Sequence, residues 1–237
     1  VASLFDKEPP KRKPRPRPEH KRVWASLEKS KDELLQSVAA EMTARDPKGQ
    51  KKHVAVTDGE RGLQRCVNRA LPGVLLILDL LHVLEYLWKA GHALYGEGTD
   101  EAVAWVRSHA LMILRGEVSQ VVKGMRQSVT KRKLRGARAK AIHKAADYLY
   151  RNRTRMCYHE YLQQGLPIAS GAVEGACKNL VKDRMERSGM RWKIPGGEAM
   201  LKLRAVYLSG DTDAYWRFHI QQDQQRLYGK TPWKIAS

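Results

Sequence analysis

Apolar residues recur at helical spacing in the first part of the chain that has a regular pattern of apolar and polar positions. Six such positions fall between residues 24 and 42: Trp24, Leu27, Leu34, Leu35, Val38 and Met42. Asp46 and Pro47 follow them, and residues of these types commonly end a helix. The pattern predicts a helix that ends before Asp46 and packs its apolar side on a core.

Two short apolar runs follow, and each ends at an aspartate. Residues 53–57 are rich in β-branched side chains and precede Asp58, while 74–78 is continuously apolar and precedes Asp79. Between them lies a short amphipathic helix with an apolar stripe of Leu63, Cys66 and Val67. An uninterrupted apolar run is typical of a parallel strand buried on both faces, so we predict a right-handed βαβ unit. Asp58 and Asp79 are then expected at the carboxyl edge of neighbouring strands.

The chain from about residue 80 to 162 shows helical spacing, with no strand pattern inside it. Glycines within 96–98 and the basic run 131–140 divide this region into several helices. Further helices are predicted after Pro167 and over 199–208. Three aromatic side chains are expected to pack a C-terminal helix on the rest of the protein: Tyr215, Trp216 and Phe218. The predicted fold class is therefore α/β and predominantly helical.

The net charge of the chain indicates what class of partner it binds. The 237 residues include 44 Lys and Arg against 25 Asp and Glu, which gives a formal net charge of +19. Three stretches, 1–22, 115–155 and 175–205, carry all of this excess, and such clustering favours a polyanionic partner. Repeated proline predicts an extended basic tether over 1–22, and 229–237 is expected to be a loose tail. Hydrophobic residues at 42% nevertheless indicate a folded protein.

Apolar runs in the chain are far shorter than the roughly 20 residues of a membrane span. The first residues contain no hydrophobic signal core. Cys66, Cys157 and Cys177 are odd in number, far apart and without the spacing of a zinc site. We therefore predict no membrane association and a cytoplasmic location with reduced thiols.

Two carboxylates stand where chemistry is often found. Asp58 is expected at the edge of an α/β sheet, although an Asp-Gly turn or a helix N-cap is the simpler explanation of this motif alone. Glu174 lies in the first turn of the helix after Pro167, where attraction to the helix dipole explains an acid. Cations on the following helix change this balance, because carboxylates beside a phosphate-binding surface indicate metal-dependent phosphoryl transfer. Asp58 and Glu174 are thus candidate catalytic residues that could share a pair of magnesium ions.

Asp79, His82 and Glu85 follow the second predicted strand at intervals of three residues. Asp79 and His82 could form polar support around the metal ligands or a DNA phosphate. Alternatively, His82 is a histidine at the end of a helix whose hydrogen bonds are satisfied within the fold. A separate zinc site is less favoured, because no cysteine lies nearby.

Basic side chains in two regions are candidates for contacts with the DNA backbone. Those in the first region are Lys123, Arg126, Lys131, Arg132, Lys133, Arg135, Arg138 and Lys140. Those in the second are Lys178, Lys182, Arg187 and Arg191. Trp192 could stack on an unpaired base or could pack beneath the final helix. Some of these cations are expected to be solvated surface residues only.

Five stretches of the chain match motifs of one known family. The longest is IASGAVEGACKNLVKDRMERSGMRW at 168–192, and the others are VTDGE at 56–60, LDLLHVLE at 78–85, RGEVSQVVKGMRQSVTKR at 115–132 and YLSGD at 207–211. They resemble bacterial insertion-sequence transposases of the ISKra type, and the longest closely resembles the C-terminal signature of these enzymes. The resemblance extends from about residue 20 to 227.

This resemblance implies a DDE transposase, in which three carboxylates of a ribonuclease-H-like core bind two Mg²⁺ or Mn²⁺ ions. Asp58 is similar by position to the second carboxylate and Glu174 to the third, while Asp79 and His82 resemble a supporting pair in related enzymes. The resemblance implies an incomplete core at 23–95, a helical insertion at 96–165 and a C-terminal helical part at 166–228. Partners implied are the transposon ends, target DNA and further copies of the chain in a homo-oligomer.

The first carboxylate of the family pattern has no clear counterpart. Asp6 precedes the proline-rich tether, Asp32 lies in a helical pattern and Asp46 in a turn. We therefore expect an N-terminally truncated copy with doubtful activity on its own. The alternative function is a non-enzymatic DNA-binding remnant of a transposable element. An RNA-associated basic protein has less support, because the sequence has no aromatic-rich RNA-binding strand motif.

Overall fold

The computed structural model describes residues 18–186 and 189–229. They form two compact units, one of Leu35–Gly171 and a second that combines 18–34 with the described residues after Gly171. The protein is predominantly helical with a small parallel sheet, as predicted. Most of the predicted tether and the tail from residue 230 lie outside the described residues. The domain boundaries predicted at residues 95 and 165 both lie within the first unit. They stay predictions.

The sheet of the first unit is the predicted βαβ unit. Strand β1 (Val54–Thr57) pairs in parallel with β2 (Leu75–Leu78), and α2 (Arg61–Ala70) connects them. Leu76 packs with α2 on one side of the sheet, whereas Ile77 and Leu78 belong to the main helical core. Burial on both faces explains why β2 is continuously apolar.

Helix α1 (Lys31–Arg45) begins later than the apolar pattern predicts. Ser30 forms a capping box with Glu33: the Ser30 N–H donates to Glu33 Oε2 at 2.7 Å, and the Glu33 N–H to Ser30 Oγ at 3.3 Å. This reciprocal cap starts the helix after Ser30. Trp24 and Leu27 lie outside the helix and are 39% and 51% exposed, so their assignment to its apolar stripe is wrong.

Five helices follow the sheet in the first unit. They are α3 (Leu80–Tyr95), α4 (Asp100–Leu114), α5 (Val118–Lys131), α6 (Gly136–Asn152) and, after a 3-10 turn, α7 (Tyr158–Gln163). Their core contains fully buried side chains such as Val83, Leu87, Ile113, Met125 and Leu149. The helical region predicted between 80 and 162 is therefore confirmed. Among the described residues, no helix combines the length and apolar character needed to cross a membrane.

Helices of the second unit are α8 (Gly171–Cys177), a π-helical turn at Lys178–Lys182, α9 (Asp183–Met185), α10 (Ile194–Ser209) and α11 (Thr212–Tyr228). Glu198 of α10 is buried and accepts hydrogen bonds from Ser26 Oγ and the Leu27 N–H, at 2.9 and 2.8 Å. These bonds tie the N-terminal segment of this unit to α10. The prediction that Tyr215, Trp216 and Phe218 pack α11 on the rest of the protein is wrong for Trp216 and Phe218, which are exposed, whereas Tyr215 is half-buried.

Candidate functional site

Asp58 and Asp79 lie at the same edge of the sheet. Thr57 pairs in register with Leu78, and each aspartate is the next residue along its strand. Both follow the carboxyl ends of parallel strands, where binding sites of α/β proteins are commonly found. Asp58 is half-buried and lines a cleft of about 390 Å³ together with residues from α3 and α6. The predicted placement of both acids is confirmed.

A buried polar network holds the turn that contains Asp58. Asp58 Oδ1 accepts the Glu60 N–H at 3.0 Å, and the Asp58 carbonyl accepts Gln64 Nε2 at 3.1 Å. Arg155 donates to the side-chain oxygens of Gln64 and Asn152. Gln64 and Asn152 are both buried, and a satisfied buried network of this kind restrains the backbone it contacts. Asp58 therefore forms the Asp-Gly turn of the simpler explanation and also faces the cleft.

Two stacked tyrosines line the cleft beside this turn. The rings of Tyr86 and Tyr148 lie 3.8 Å apart at an angle of 11°, and Lys89 Nζ lies 4.9 Å from the centre of the Tyr86 ring. Burial raises the pKa of the Tyr148 hydroxyl, and the nearby Tyr86 and Asp58 raise it further. Tyr148 is therefore a neutral phenol at physiological pH.

Asp79 is 1% exposed and is engaged by its neighbours. Its carboxylate accepts the Leu81 N–H at 3.0 Å, which caps α3, and lies 3.2 Å from His82 Nδ1. It also accepts the Ser170 N–H at 3.2 Å and the Ser170 hydroxyl. His82 lines the same cleft as Asp58, so Asp79 orients a cleft residue without lining the cleft itself. The supporting role of Asp79 and His82 stays a prediction.

Glu174 belongs to the first turn of α8, as predicted, and is exposed. It lies in the second unit, four residues after Ser170 in the chain. Its assignment as a catalytic residue stays a prediction.

The donor set for a metal is partial. Asp58 and Glu85 line the cleft and supply carboxylate oxygens, the ligand type that Mg²⁺ prefers. Within 18–186 and 189–229, however, no three His, Cys, Asp or Glu side chains form a group that could hold a metal ion.

The basic residues predicted as DNA contacts in 123–140 lie on α5, on α6 and in the turn between them. Arg126 pairs with Asp147 at 2.8 Å, and Arg132 donates to the Leu94 carbonyl at 3.2 Å and to Tyr95 Oη at 2.9 Å. Both arginines are exposed but have partners within the chain. The remaining predicted contacts in this region are also exposed: Lys123, Lys131, Lys133, Arg135, Arg138 and Lys140.

In the second unit, Lys178, Lys182 and Arg191 are exposed, and Trp192 is 36% exposed. Because the Trp192 indole is partly packed and partly accessible, stacking on an unpaired base and packing beneath the final helix both stay predictions. Arg187 lies outside the described residues.

Sequence reasoning missed the cations that line the Asp58 cleft, namely Arg61, Lys89 and Arg151. They come from three different helices, and no local motif marks them. The cleft thus combines three cations with three carboxylates, Asp58, Glu60 and Glu85. Such a mixture is suited chemically to a ligand that carries both phosphate groups and a divalent ion. Comparison of the chain with protein-family models, curated proteins and solved structures finds no match, so the site is interpreted from its geometry and its motifs.

Proposed function

We propose that the chain is the catalytic region of a DDE-type transposase of the ISKra type, with an incomplete ribonuclease-H-like core. Its reaction is metal-dependent cleavage of DNA strands and their transfer to target DNA. The motif at 168–192 and the parallel βαβ unit with Asp58 at its edge support this proposal.

The observation that carries the proposal most is the return of the chain to the sheet edge at Ser170. The chain leaves this edge at Leu80, passes through α3 to α7, and comes back where the Leu80 N–H donates to the Ile168 carbonyl at 2.9 Å. Asp79 then accepts the Ser170 N–H. Glu174 follows four residues later. A long helical excursion between two acids of one site is the chain order that the family resemblance implies.

In this proposal Asp58 and Glu174 hold Mg²⁺ or Mn²⁺, and the first carboxylate is not assigned to a residue. When bound, such ions activate a water or 3′-hydroxyl nucleophile and stabilise the leaving oxygen of a phosphodiester. Asp79 holds His82 and Ser170 in place at the sheet edge. The exposed cations of α5 and α6 bind the phosphates of transposon ends and target DNA. The active form is a homo-oligomer that works in the cytoplasm, where bacterial DNA lies.

A nicking assay tests the proposed reaction. A supercoiled plasmid with the element ends is incubated with the chain and Mg²⁺ or Mn²⁺, and DNA binding is measured in parallel with EDTA. Because the first carboxylate is not assigned, we expect at most weak metal-dependent nicking by the wild-type chain. That nicking should be lost in Asp58→Asn and Glu174→Gln with DNA binding retained. Asp147→Asn, which changes an exposed acid of α6, is the matched control. Nicking that persists in Glu174→Gln contradicts the assignment of that residue.

A second candidate function is a DNA-binding protein without catalysis. It is favoured by the exposed cations of residues 123–140. Binding of this kind needs no divalent ion and weakens steeply as salt rises. Wild-type protein that binds DNA in EDTA but produces no metal-dependent nicks supports this candidate over the first.

A further inference from the structure

Tyr148 of α6 closes on the residue next to Asp58. A Cβ atom placed on Gly59 would lie 2.3 Å from Tyr148 Cε2 and 2.7 Å from its hydroxyl oxygen. Carbon atoms do not approach this closely, so position 59 accepts only glycine while the ring stays in place. The ring therefore forms a wall directly against the turn that carries Asp58.

The Tyr148 ring is held in place by its neighbours. Tyr148 is 7% exposed, its ring stacks on Tyr86, and its carbonyl accepts Asn152 Nδ2 at 2.9 Å. Asn152 belongs to the same polar network as Gln64, which donates to the Asp58 carbonyl. The Asp58–Gly59 turn is thus enclosed by an aromatic ring on one side and a buried amide network on the other.

The hydroxyl of Tyr148 contributes little to this arrangement. It is buried and has no well-formed hydrogen bond to any described residue, although the Gly59 backbone N–H lies near it. A buried hydroxyl without a good partner does not stabilise the fold. The contact with Gly59 is therefore made by the ring.

We propose that Tyr148 is a positioning residue for Asp58: its ring, packed on Gly59, fixes the direction of the Asp58 carboxylate and so sets the affinity of this acid for a divalent ion. The part that concerns the ion rests on the proposed function. Helix α6, a part of the predicted insertion, thereby belongs to the wall of the site.

Amide hydrogen exchange tests the contact without any metal. Tyr148→Leu removes the ring, and we expect at least about tenfold faster exchange at the N–H groups of Gly59 and Glu60, because local opening governs exchange. Tyr161→Leu is the matched control, since Tyr161 is a buried ring of the same unit that does not line the cleft. It should leave these two amides unchanged. Tyr148→Phe, which keeps the ring but removes the hydroxyl near the Gly59 N–H, should leave the Glu60 amide unchanged. Unchanged exchange in Tyr148→Leu overturns the proposal.

Binding of Mn²⁺, followed by the electron paramagnetic resonance signal of the free ion, tests the consequence for the site. We expect Tyr148→Leu to weaken binding about tenfold and Tyr161→Leu to leave it within about twofold, at similar losses of melting temperature.

Gly59→Ala should weaken binding in the wild-type background but have little further effect in Tyr148→Leu, where the space for a Cβ exists. Equal effects of Gly59→Ala in both backgrounds contradict the proposal. A mixed result would separate the two parts of the proposal. If Tyr148→Leu speeds amide exchange but Asp58→Asn does not change Mn²⁺ binding, the packing contact stands. The metal role of Asp58, and its dependence on Tyr148, would then be overturned.

Discussion

The carboxylate of Asp79 joins three parts of the first unit: the end of β2, the start of α3 and the segment before α8. It accepts hydrogen bonds from Leu81 and Ser170 while almost fully buried. Asp79→Asn removes the charge that strengthens these bonds and turns an amide group toward donors. We expect unfolding to become easier by about 1 to 3 kcal/mol, measured by urea denaturation.

The control for this change is Asp147→Asn, which affects an exposed ion pair with Arg126. Exposed pairs of this kind contribute roughly 0 to 1 kcal/mol. An Asp79→Asn variant as stable as the Asp147→Asn variant would show that Asp79 does not hold these elements together.

The sequence predicted where Asp58 and Asp79 lie, because an aspartate directly after an apolar strand has a defined place at the sheet edge. It did not predict that Ser170 binds Asp79 or that Tyr148 packs on Gly59. Both contacts join residues far apart in the chain, and neither Ser170 nor Tyr148 has a local pattern that names its partner. The site could therefore be located but its supporting residues could not.

Glu198 makes the second unit sensitive to acid. The Leu27 N–H and the Ser26 hydroxyl hold the pKa of this carboxyl below its usual range, with help from Lys202, against the opposing effect of burial. A lowered pKa in the folded state contributes stability above the unfolded-state value of about 4.3. This contribution is lost as the pH falls through the lower, folded-state value.

We therefore expect Glu198→Gln to lower the melting temperature at pH 7 and to match the wild type near pH 2. Circular dichroism melting curves across this range measure the difference. Asp223→Asn, which changes an exposed acid of α11, is the control and should have little effect at either pH. If Glu198→Gln lowers the melting temperature equally at both pH values, the ionised Glu198 carboxylate is not the source of this stability.

The apolar pattern predicted the first residue of each strand to within one position. It failed at α1, where the capping box of Ser30 and Glu33 decides the first residue and the apolar positions before it do not. It also failed at Trp216 and Phe218 of α11, which were expected to pack this helix on the rest of the protein and are exposed. Periodicity reports which residues share a face, but not whether another element covers that face.

The crossing of α3 and α4 depends on a small residue. A Cβ on Gly91 would lie 3.0 Å from Val106 Cγ2 and 3.4 Å from Trp105. Gly91→Ala should therefore cost about 1 to 3 kcal/mol through overpacking, offset by the roughly 0.5 to 1 kcal/mol by which alanine favours a helix. Gly124→Ala in α5 is the matched control, because open space surrounds that position and only the helix gain remains. Urea denaturation should show Gly91→Ala to be the less stable of the two variants; equal stabilities would contradict this packing.

At the scale of the whole molecule, the charge of +19 is the property that the sequence specifies most directly. The cations predicted as DNA contacts in 123–140 are all exposed, and two of them, Arg126 and Arg132, have partners within the chain. Replacing Lys133, Arg135 and Arg138 together with Gln should weaken DNA binding and reduce its salt dependence by about one phosphate contact per residue removed.

Arg132→Gln, by contrast, should mainly lower the melting temperature, because this arginine binds Leu94 and Tyr95. Fluorescence anisotropy of labelled DNA at several salt concentrations measures both variants. An unchanged salt slope after the triple replacement would remove this surface from the proposed DNA contacts.

The proposed function requires that Asp58 and Glu174 bind the same divalent ions. Isothermal titration with Mn²⁺ of the wild type, Asp58→Asn, Glu174→Gln and the double variant tests this requirement, since ligands of one site are not additive. We predict that each single variant loses as much affinity as the double variant. If either single variant binds Mn²⁺ like the wild type, or if the two losses simply add, the two acids do not share a metal site.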